Sequence, residues 1–423
     1  MSGGAFGAGE GRTRRRILYI DHSGARGGAL LALCSVIRAL DRERYEPVVA
    51  CIHDVPEVLD AFRAAGAETV HAPGISAFPH TTGGWNPLLT PAGALRALRA
   101  AAAFRPSARA TEALVRRLRP DVVHLNSLVL APSAAGARAA GVPVLWQVRE
   151  SVHPGHARVR RRLLARALVR WPDAAVFVSA DDRQRLGGAA LGTVIPDSVD
   201  HRRFDRALDG AAVRAELAVP ADAPLVLFLG GVSAIKGAHV LLAALPQARR
   251  RVPGLHAVVA GAHGPRSRSP VAGIARVLLP LVGSGTERQR FERAYADGGM
   301  EGWVRLLPFR ADPERLMAAA DVVVFPSTVP HSALPVIEAG AMAKPVVASR
   351  LGGVEELVED GETGLLVPPA DPDALAAAIA RVLSDPALAA RLGEAAYARS
   401  LERYALAPNL QRLTEIYDRL SGR

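Results

Sequence analysis

The feature that most constrains the fold is a repeated alternation of short apolar runs and helical segments. The first run, Ile17–Ile20, leads through a Gly-rich turn at 24–28 into a helical pattern from Ala29 to Leu40. Such alternation predicts parallel sheets, because a parallel connection needs a crossover that is usually a helix. The strands predicted in the first half are Ile17–Ile20, Pro47–Ile52, Thr69–Ala72, Val122–Leu125, Val144–Val148, Ala175–Val178 and Thr193–Ile195.

The same alternation restarts after a polar stretch between Asp200 and Pro224, where we place the inter-domain linker. A chain of 423 residues exceeds the size at which one core keeps growing, so two domains are expected. The strands predicted in the second half are Leu225–Leu229, Ala257–Ala260, Val304–Leu307, Val322–Phe325 and Val346–Ala348. We predict an α/β fold with two doubly wound, Rossmann-like domains, 1–203 and 204–405, and a terminal segment, 406–423.

Several helix starts are marked by an acidic residue followed by proline. Asp312-Pro313, Asp371-Pro372 and Asp385-Pro386 each combine an N-cap carboxylate with a proline at the first helical position. The segment Asn409–Leu420 has the pattern of an amphipathic helix. Two open sheets in one chain further predict a ligand cleft at the carboxyl ends of their strands.

Composition excludes several classes of protein. The net charge is +11, but only Lys236 and Lys344 among the 52 basic residues are lysines, a skew typical of genome-wide composition bias. No nucleic-acid module is recognisable, so we predict no nucleic-acid partner. Cys34 and Cys51 lie in apolar segments and predict buried thiols, without zinc-site spacing. Without a signal peptide or an apolar run of about 18 residues, the expected location is cytoplasmic.

Three segments of the second half have the chemistry of a nucleotide site. The loop that contains Gly230-Gly231 and Lys236 follows a strand and precedes a helix. Small residues and a cation at such a place suit the binding of a diphosphate. The alternative is an ordinary turn with a surface lysine. Glu338 lies at a helix start beyond a strand, where a carboxylate can accept hydrogen bonds from the hydroxyl groups of a ribose. The alternative is a glutamate that only interacts favourably with the helix dipole. Gly352-Gly353 is predicted to open a helix with free amide groups.

The order and spacing of these segments resemble family 4 of the glycosyltransferases, the retaining enzymes with the GT-B fold. The resemblance extends from Ile17 to Leu420 and includes Gly27-Gly28, the motif at 194–200, Lys236-Gly237, Glu338-Ala339, Gly352-Gly353 and the motif at 360–367. It implies a nucleotide sugar as donor substrate, no cofactor, no required metal and a final helix that crosses back to the first domain. The implied donor-binding residues are Gly27, Gly28, Gly231, Lys236, Phe309, Glu338, Gly352 and Gly353.

The chain departs from the family pattern at three places. Gly231 stands where the family usually has an arginine that helps to hold the diphosphate. Pro330-His331 stands where the first of two glutamates usually contacts the donor sugar, so His331 is our candidate for sugar recognition. Asp197-Ser198 replaces the usual Asn-Gly before the linker.

In the first domain, the segment Gln147–His153 follows a predicted strand. Glu150 or His153 could assist the acceptor hydroxyl, and a polar strand end without a role is the equal alternative. His22 and His124 also follow or end strands, where a passive role is expected. Arg26 and Arg350 are further candidates for diphosphate contacts, and the basic segment Arg158–Arg170 is a hypothetical contact for an anionic membrane.

The resemblance therefore implies a retaining, metal-independent, hexosyl-type glycosyltransferase that acts on a glycan, a lipid-linked or a small-molecule acceptor. The first alternative is a catalytically impaired binding or scaffold protein, which the departures at Gly231 and His331 motivate. A sugar-nucleotide epimerase is disfavoured by the Lys-Gly and Glu-Ala pattern. A dinucleotide-binding dehydrogenase would need a Gly-x-Gly-x-x-Gly turn, which the loop 24–28 lacks.

Overall fold

The structure, a computed structural model, describes residues 14–78, 91–152, 159–263, 287–331 and 333–422. The chain divides into two compact units. The N-terminal unit takes residues up to Val178, Asp182–Ile195 and the chain from Ala407, and the C-terminal unit takes Ser179–Asp181 and Pro196–Leu406. Among the described residues, every helix is too short or too polar to span a bilayer.

The N-terminal unit contains a sheet of seven parallel strands in the order β3-β2-β1-β4-β5-β6-β7. Its strands are β1 (Arg15–Asp21), β2 (Tyr45–Cys51), β3 (Glu68–His71), β4 (Val122–Leu125), β5 (Val144–Val148), β6 (Ala174–Phe177) and β7 (Thr193–Val194). Its helices are α1 (Gly28–Ala39), α2 (Pro56–Ala64), α3 (Pro91–Leu118), α4 (Ala131–Ala139), α5 (Val159–Arg170) and α6 (Ala180–Leu186), whose first two residues are grouped with the C-terminal unit.

The C-terminal unit contains a sheet of six parallel strands in the order β10-β9-β8-β11-β12-β13. Its strands are β8 (Leu225–Phe228), β9 (His256–His263), β10 (Val304–Pro308), β11 (Val322–Phe325), β12 (Val346–Ser349) and β13 (Leu365–Val367). Its helices are α7 (Ala211–Glu216), α8 (Ala238–Arg251), α9 (Glu287–Asp297), α10 (Pro313–Ala319), α11 (Leu334–Ala341), α12 (Pro372–Ser384) and α13 (Pro386–Arg403).

Both sheets are buried on both faces, which explains why their strands are almost continuously apolar. Successive residues point to opposite faces, so Leu18 and Ile20 join one core while Ile17 and Tyr19 join another. The first core includes residues of α3, α4 and α5, and the second includes residues of α1 and α2. The predicted doubly wound α/β fold is confirmed in each unit.

The last helix, α14 (Leu406–Ser421), belongs to the N-terminal unit from Ala407 onward. Leu413, Ile416, Tyr417 and Leu420 are buried in the same core as Ile17 and Tyr19. The crossing back of the final helix, which the family resemblance implied, is therefore confirmed.

Two local predictions differ from the structure. Residues 201–224, where the polar sequence favours a linker, lie in the C-terminal unit, because Phe204, Val213 and Leu217 are buried in its core. Asp371 and Asp385 accept the amide hydrogens of Ala374 and Leu388 as predicted N-caps. Asp312 makes no such cap, since its carboxylate binds the Arg310 guanidinium at 2.8 Å.

Buried thiols were predicted correctly. Cys34 and Cys51 are both free and buried in the N-terminal unit. Burial raises the pKa of each thiol to about 12, which keeps both protonated and unreactive at neutral pH.

Candidate functional site

Each sheet has one point where the strand order reverses, and a ligand site is expected there, beyond the carboxyl ends of the two strands. In the C-terminal unit this point lies between β8 and β11. The loop after β8 carries Lys236, and the loop after β11 carries His331. The fold therefore brings these two predicted residues to the same edge of one sheet.

The loop after β8 has glycine where the backbone requires it. Gly231 has φ +67°, donates its amide hydrogen to the Ala260 carbonyl at 3.1 Å, and would place a Cβ only 3.1 Å from the Gly261 carbonyl oxygen. Any side chain at Gly231 would meet this left-handed backbone and this close approach. The glycine that stands in place of the family's usual arginine thus fits a backbone conformation that other residues rarely adopt.

Gly237 marks where this loop contacts the loop after β11. Its φ is +73°, and a Cβ here would overlap the Pro326 carbonyl oxygen. Gly237 is also the N-cap of α8, which has no side-chain cap, so the first amide groups of this helix remain available. Only glycine permits such an approach of two backbone segments.

Lys236 lies between these two glycines and is half-buried. No described residue forms an ion pair or a hydrogen bond with its ammonium group. Burial lowers the pKa of Lys236 from its ordinary value, because water no longer fully solvates the charge. A half-buried cation without a protein counter-ion is suited to bind an anionic ligand.

His331 has a defined tautomer. Its Nδ1 lies 3.1 Å from the Val329 carbonyl oxygen, which can only accept, so Nδ1 carries the proton and Nε2 presents a lone pair. Burial lowers the pKa of His331 to about 4, and the nearby Lys236 charge acts in the same direction. The imidazole is therefore neutral at pH 7, and Nε2, 3.5 Å from Ser327 Oγ, can accept a hydroxyl hydrogen.

Glu338 is on α11, only 7% exposed, and no described residue forms a hydrogen bond with its carboxyl group. Burial raises the pKa of Glu338 to about 8; Arg203 lowers it, and the charges of Glu314 and Asp197 raise it further. A buried carboxyl group without partners is costly for the free protein and suited to a ligand that supplies hydroxyl donors. Its role toward a ribose stays a prediction.

The segment after Gly352-Gly353 is a turn, not the predicted helix. Val354 and Glu355 both donate to the Leu351 carbonyl, at 3.0 and 3.1 Å, and Gly353 has φ +83°, outside the helical region. Neither glycine amide donates to a described residue, so the predicted anion-binding groups exist without the helix. The Asp181 carboxylate lies against Gly352, so an anion bound here would also meet a negative charge.

Two further donor-side candidates lie elsewhere. Phe309 follows β10, the outer strand of the sheet, and its side chain is 37% exposed. β9 separates β10 from β8, so Phe309 does not follow a strand next to that of Lys236. Arg350 forms ion pairs with Asp360 and, at 3.8 Å, with Glu355, which weakens it as a diphosphate ligand.

In the N-terminal unit the strand order reverses between β1 and β4. Gly27 is the N-cap of α1, and a Cβ at Gly27 or Gly28 would meet no atom within 4 Å. The first amide groups of α1 have no side-chain cap. The predicted open, glycine-lined helix start is present, and its role toward a donor stays a prediction.

The predicted catalytic candidate Glu150 has a clear positioning function. Its carboxylate accepts hydrogen bonds from Ser127 Oγ, from the Leu128 amide at 2.9 Å and from the Arg149 amide at 3.2 Å. These contacts tie the end of β5 to the short 3-10 turn Leu128–Leu130. His153, the other candidate in this segment, lies outside the described residues.

The two histidines expected to be passive differ from each other. His22 is partly buried, and its Nδ1 has no hydrogen-bond partner among the described residues. His124 is wholly buried inside β4, where Nε2 donates to Gln147 Oε1 at 3.1 Å and Nδ1 accepts from Tyr417 at 2.6 Å. His124 therefore anchors α14 and does not line a ligand site.

Sequence inspection predicts that the segment Thr328–Ala333 decides donor choice, but it missed that Thr328 joins the two loops of the C-terminal site. Thr328 donates from Oγ1 to the Ala234 carbonyl at 2.9 Å and from its amide to the Ile235 carbonyl at 3.0 Å. The available signal was a hydroxyl residue just beyond a strand. Within the described ranges, no three His, Cys, Asp or Glu side chains group as a metal site.

Known proteins show the same architecture. HepE of Anabaena, solved in complex with UDP and glucose, superimposes with a TM-score of 0.75 at 23% identity, over 96% of this chain and all of that one. Sucrose-phosphate synthase of Thermosynechococcus elongatus gives a TM-score of 0.72 at 23% identity, over 96% and 99% of the two chains. Two parallel-sheet units with these neighbours define the GT-B class of fold.

Family models match the two units separately. Residues 27–196 match the "Glycosyl transferase 4-like domain" and residues 211–399 match "Glycosyl transferases group 1". The chain belongs to the family 4 glycosyltransferases.

Curated relatives agree with this membership. A D-inositol 3-phosphate glycosyltransferase of Saccharomonospora viridis is 36% identical over 57% of this chain and 53% of its own length. A GDP-mannose-dependent alpha-(1-6)-phosphatidylinositol monomannoside mannosyltransferase of Mycolicibacterium smegmatis is 32% identical over 59% of this chain and 63% of its own. The chain thus spans between half and two thirds of the length of these relatives.

Proposed function

We propose that this chain transfers a hexose from a nucleotide sugar to a carbohydrate, lipid-linked or small-molecule acceptor, with retention of anomeric configuration and without a metal ion. The observation that carries the proposal is the Lys236 ammonium, with which no described residue pairs, near the neutral His331 imidazole at the reversal point of the C-terminal sheet. The GDP-mannose-dependent mannosyltransferase of Mycolicibacterium smegmatis, a relative of this chain, supports a nucleotide-sugar donor.

In the proposed reaction, Lys236 and the amides of Gly352 and Gly353 stabilise the negative charge that develops on the leaving diphosphate. Such stabilisation accelerates cleavage of the glycosidic bond, which passes through an oxocarbenium-like state. The neutral Nε2 of His331 accepts a hydrogen bond from a donor-sugar hydroxyl. Glu338 accepts hydrogen bonds from the ribose hydroxyl groups of the nucleotide. The partly exposed ring of Phe309 stacks on the base.

The first experiment is a panel of UDP-, GDP-, ADP- and dTDP-sugars, scored for transfer and hydrolysis with wild type and His331→Ala. We expect His331→Ala to lower turnover with the true donor and to leave the affinity for the bare nucleoside diphosphate nearly unchanged. Equal turnover of the two proteins would assign sugar recognition to another residue.

A catalytically impaired binding protein is the second candidate. It is favoured by His331, which replaces a carboxylate able to accept two hydrogen bonds with an imidazole that accepts one. Binding of a nucleotide sugar by wild type, without transfer or hydrolysis of any donor in the panel, would support this candidate.

We further propose that the protein acts in the cytoplasm with peripheral contact to an anionic membrane. Helix α5 carries five arginines and no acidic residue, and its Leu163 and Val169 are 58% and 71% exposed. Arginine next to exposed apolar side chains suits an anionic bilayer surface. Vesicles of phosphatidylglycerol should co-sediment the protein at low salt, and no binding at low or physiological salt would contradict the proposal.

A further inference from the structure

Thr328 connects the two loops that carry Lys236 and His331. Its Oγ1 donates to the Ala234 carbonyl at 2.9 Å, and its amide donates to the Ile235 carbonyl at 3.0 Å. These carbonyls belong to the two residues directly before Lys236. One threonine therefore fixes the backbone from which the Lys236 side chain extends.

The same threonine is one residue from the group that orients His331. The Val329 carbonyl accepts the Nδ1 hydrogen of His331 at 3.1 Å, and Thr328 and Val329 are consecutive on a short loop. On the other side, Ala234 also donates its amide hydrogen to Glu287 at 3.0 Å, and Gly237 packs on the Pro326 carbonyl. The two loops thus form one hydrogen-bonded unit with Thr328 at its centre.

We propose that Thr328 is a positioning residue that holds Lys236 in place for the donor diphosphate and couples this loop to the one that carries His331. The inference deepens the proposed function and rests on it for the nature of the ligand. The position of Lys236 can be followed without any ligand, so the two ideas fail separately.

Three variants separate positioning from folding. Thr328→Val keeps the shape of the side chain and removes the hydroxyl, and Thr328→Ser restores the hydroxyl. Thr363→Val is the matched control, because Thr363 Oγ1 also bonds a backbone group of the C-terminal unit, the Glu359 amide at 2.8 Å. All three are compared with wild type as the full chain.

The first measurement uses the rarity of lysine in this chain. Lys236 and Lys344 are the only lysines, so reductive methylation with ¹³C-formaldehyde labels two side chains that NMR can titrate separately. Burial lowers the pKa of Lys236, so a loosened loop should move that pKa upward, toward its ordinary value. Lys344, which donates to the Ala318 carbonyl at 3.0 Å, is the internal standard.

We expect Thr328→Val to shift the Lys236 titration while Lys344 stays unchanged, and Thr328→Ser to restore the wild-type curve. The second measurement is calorimetry with UDP, GDP, ADP and dTDP. Loss of one neutral hydrogen bond should weaken the tightest of these about two- to tenfold in Thr328→Val, with recovery in Thr328→Ser.

Two results would overturn the inference: an unmoved Lys236 titration in Thr328→Val, or an equal shift in Thr363→Val. If none of the four nucleotides binds wild type, the proposed donor chemistry fails. The role of Thr328 is then decided by the Lys236 titration alone.

Discussion

At the residue scale, the two lysines of the chain differ in the partner each has. Lys344 donates to the Ala318 carbonyl at the end of α10, whereas no described residue pairs with Lys236. Burial lowers the pKa of both side chains. Lys344 therefore supports the fold. Lys236 lies at the reversal point of the sheet, where its ammonium group can bind an anionic ligand.

Lys236→Ala and Lys344→Ala should therefore have opposite effects. A charge-assisted contact is worth about 1.5–3 kcal/mol, so Lys236→Ala should weaken nucleoside diphosphate binding roughly ten- to hundredfold without loss of stability. Lys344→Ala should lower the free energy of unfolding and leave the affinity unchanged. Calorimetry and urea denaturation test both, and a normal affinity in Lys236→Ala would make Lys236 an ordinary surface lysine.

Glu338 predicts a specific dependence of stability on pH. Its pKa is raised to about 8 in the folded chain, above the ordinary value of 4.5. Folding favours the protonated form of Glu338, so this side chain affects the free energy of unfolding. Its contribution is fully present below pH 4.5 and is lost as the pH rises through about 8. Glu338→Gln should remove the loss and, at pH 8.5, be more stable than wild type by at least about 1 kcal/mol.

The same substitution should weaken binding of a ribonucleotide, because an amide replaces the carboxyl group offered to the ribose hydroxyls. Denaturation at about pH 4 is the control, because below the ordinary pKa of 4.5 the Glu338 carboxyl group is mostly protonated in both the folded and the unfolded chain, so the two stabilities should converge. A stability difference that does not change between about pH 4 and pH 8.5 would contradict the raised pKa of Glu338.

At the scale of elements, α14 is held to the N-terminal sheet by a buried chain of hydroxyl and imidazole groups. The Tyr417 hydroxyl lies 3.1 Å from the Tyr19 hydroxyl and 2.6 Å from Nδ1 of His124. The next residue, Asp418, accepts from Tyr45 at 2.5 Å and Arg44 at 2.6 Å, and also from Arg15. Two consecutive side chains thus fix the helix at its buried and its exposed edge.

Tyr417→Phe should destabilise this attachment by about 1–3 kcal/mol, because it leaves His124 Nδ1 and the Tyr19 hydroxyl buried without their partner. Hydrogen exchange of the α14 amides locates the effect. Tyr397→Phe is the matched control, since the Tyr397 hydroxyl has no partner among the described residues. Burial lowers the pKa of His124 to about 3, so the effect should be the same from pH 5 to 8.

At the scale of the whole molecule, the site predicts nucleotide binding in which protein groups neutralise the diphosphate. A nucleoside diphosphate should raise the thermal stability of the full chain equally in EDTA and in magnesium, through Lys236 and the amides of Gly352 and Gly353, which donate to no described residue. Loss of the shift in EDTA, and its return with magnesium, would show that a metal ion is required.

The architecture could be predicted from the sequence because both sheets have a strong periodic pattern. β4, β5 and β11 have the predicted bounds, whereas the edge strand β13 was missed, because its residues lie within the motif at 360–367, which indicates the family and not a strand. The site was predictable only in part. Lys236 and His331 were found from local motifs. The hydrogen bonds of Glu150 with Ser127 and Leu128, which are 23 and 22 residues away in the sequence, appear only when the chain is folded. The same is true of the bonds from Thr328 to the loop that precedes Lys236.

The place of α14 has a consequence for how the protein is made. Ile416, Tyr417 and Leu420 complete the core around Ile17 and Tyr19, although the ribosome synthesises them after the whole C-terminal unit. At about 5–20 residues per second, the nascent N-terminal sheet waits on the order of ten to forty seconds for this helix. During that time α1 and α2 already pack on this core, but the part of it that α14 covers stays exposed, so the early sheet is a natural substrate for a chaperone while the later unit already folds.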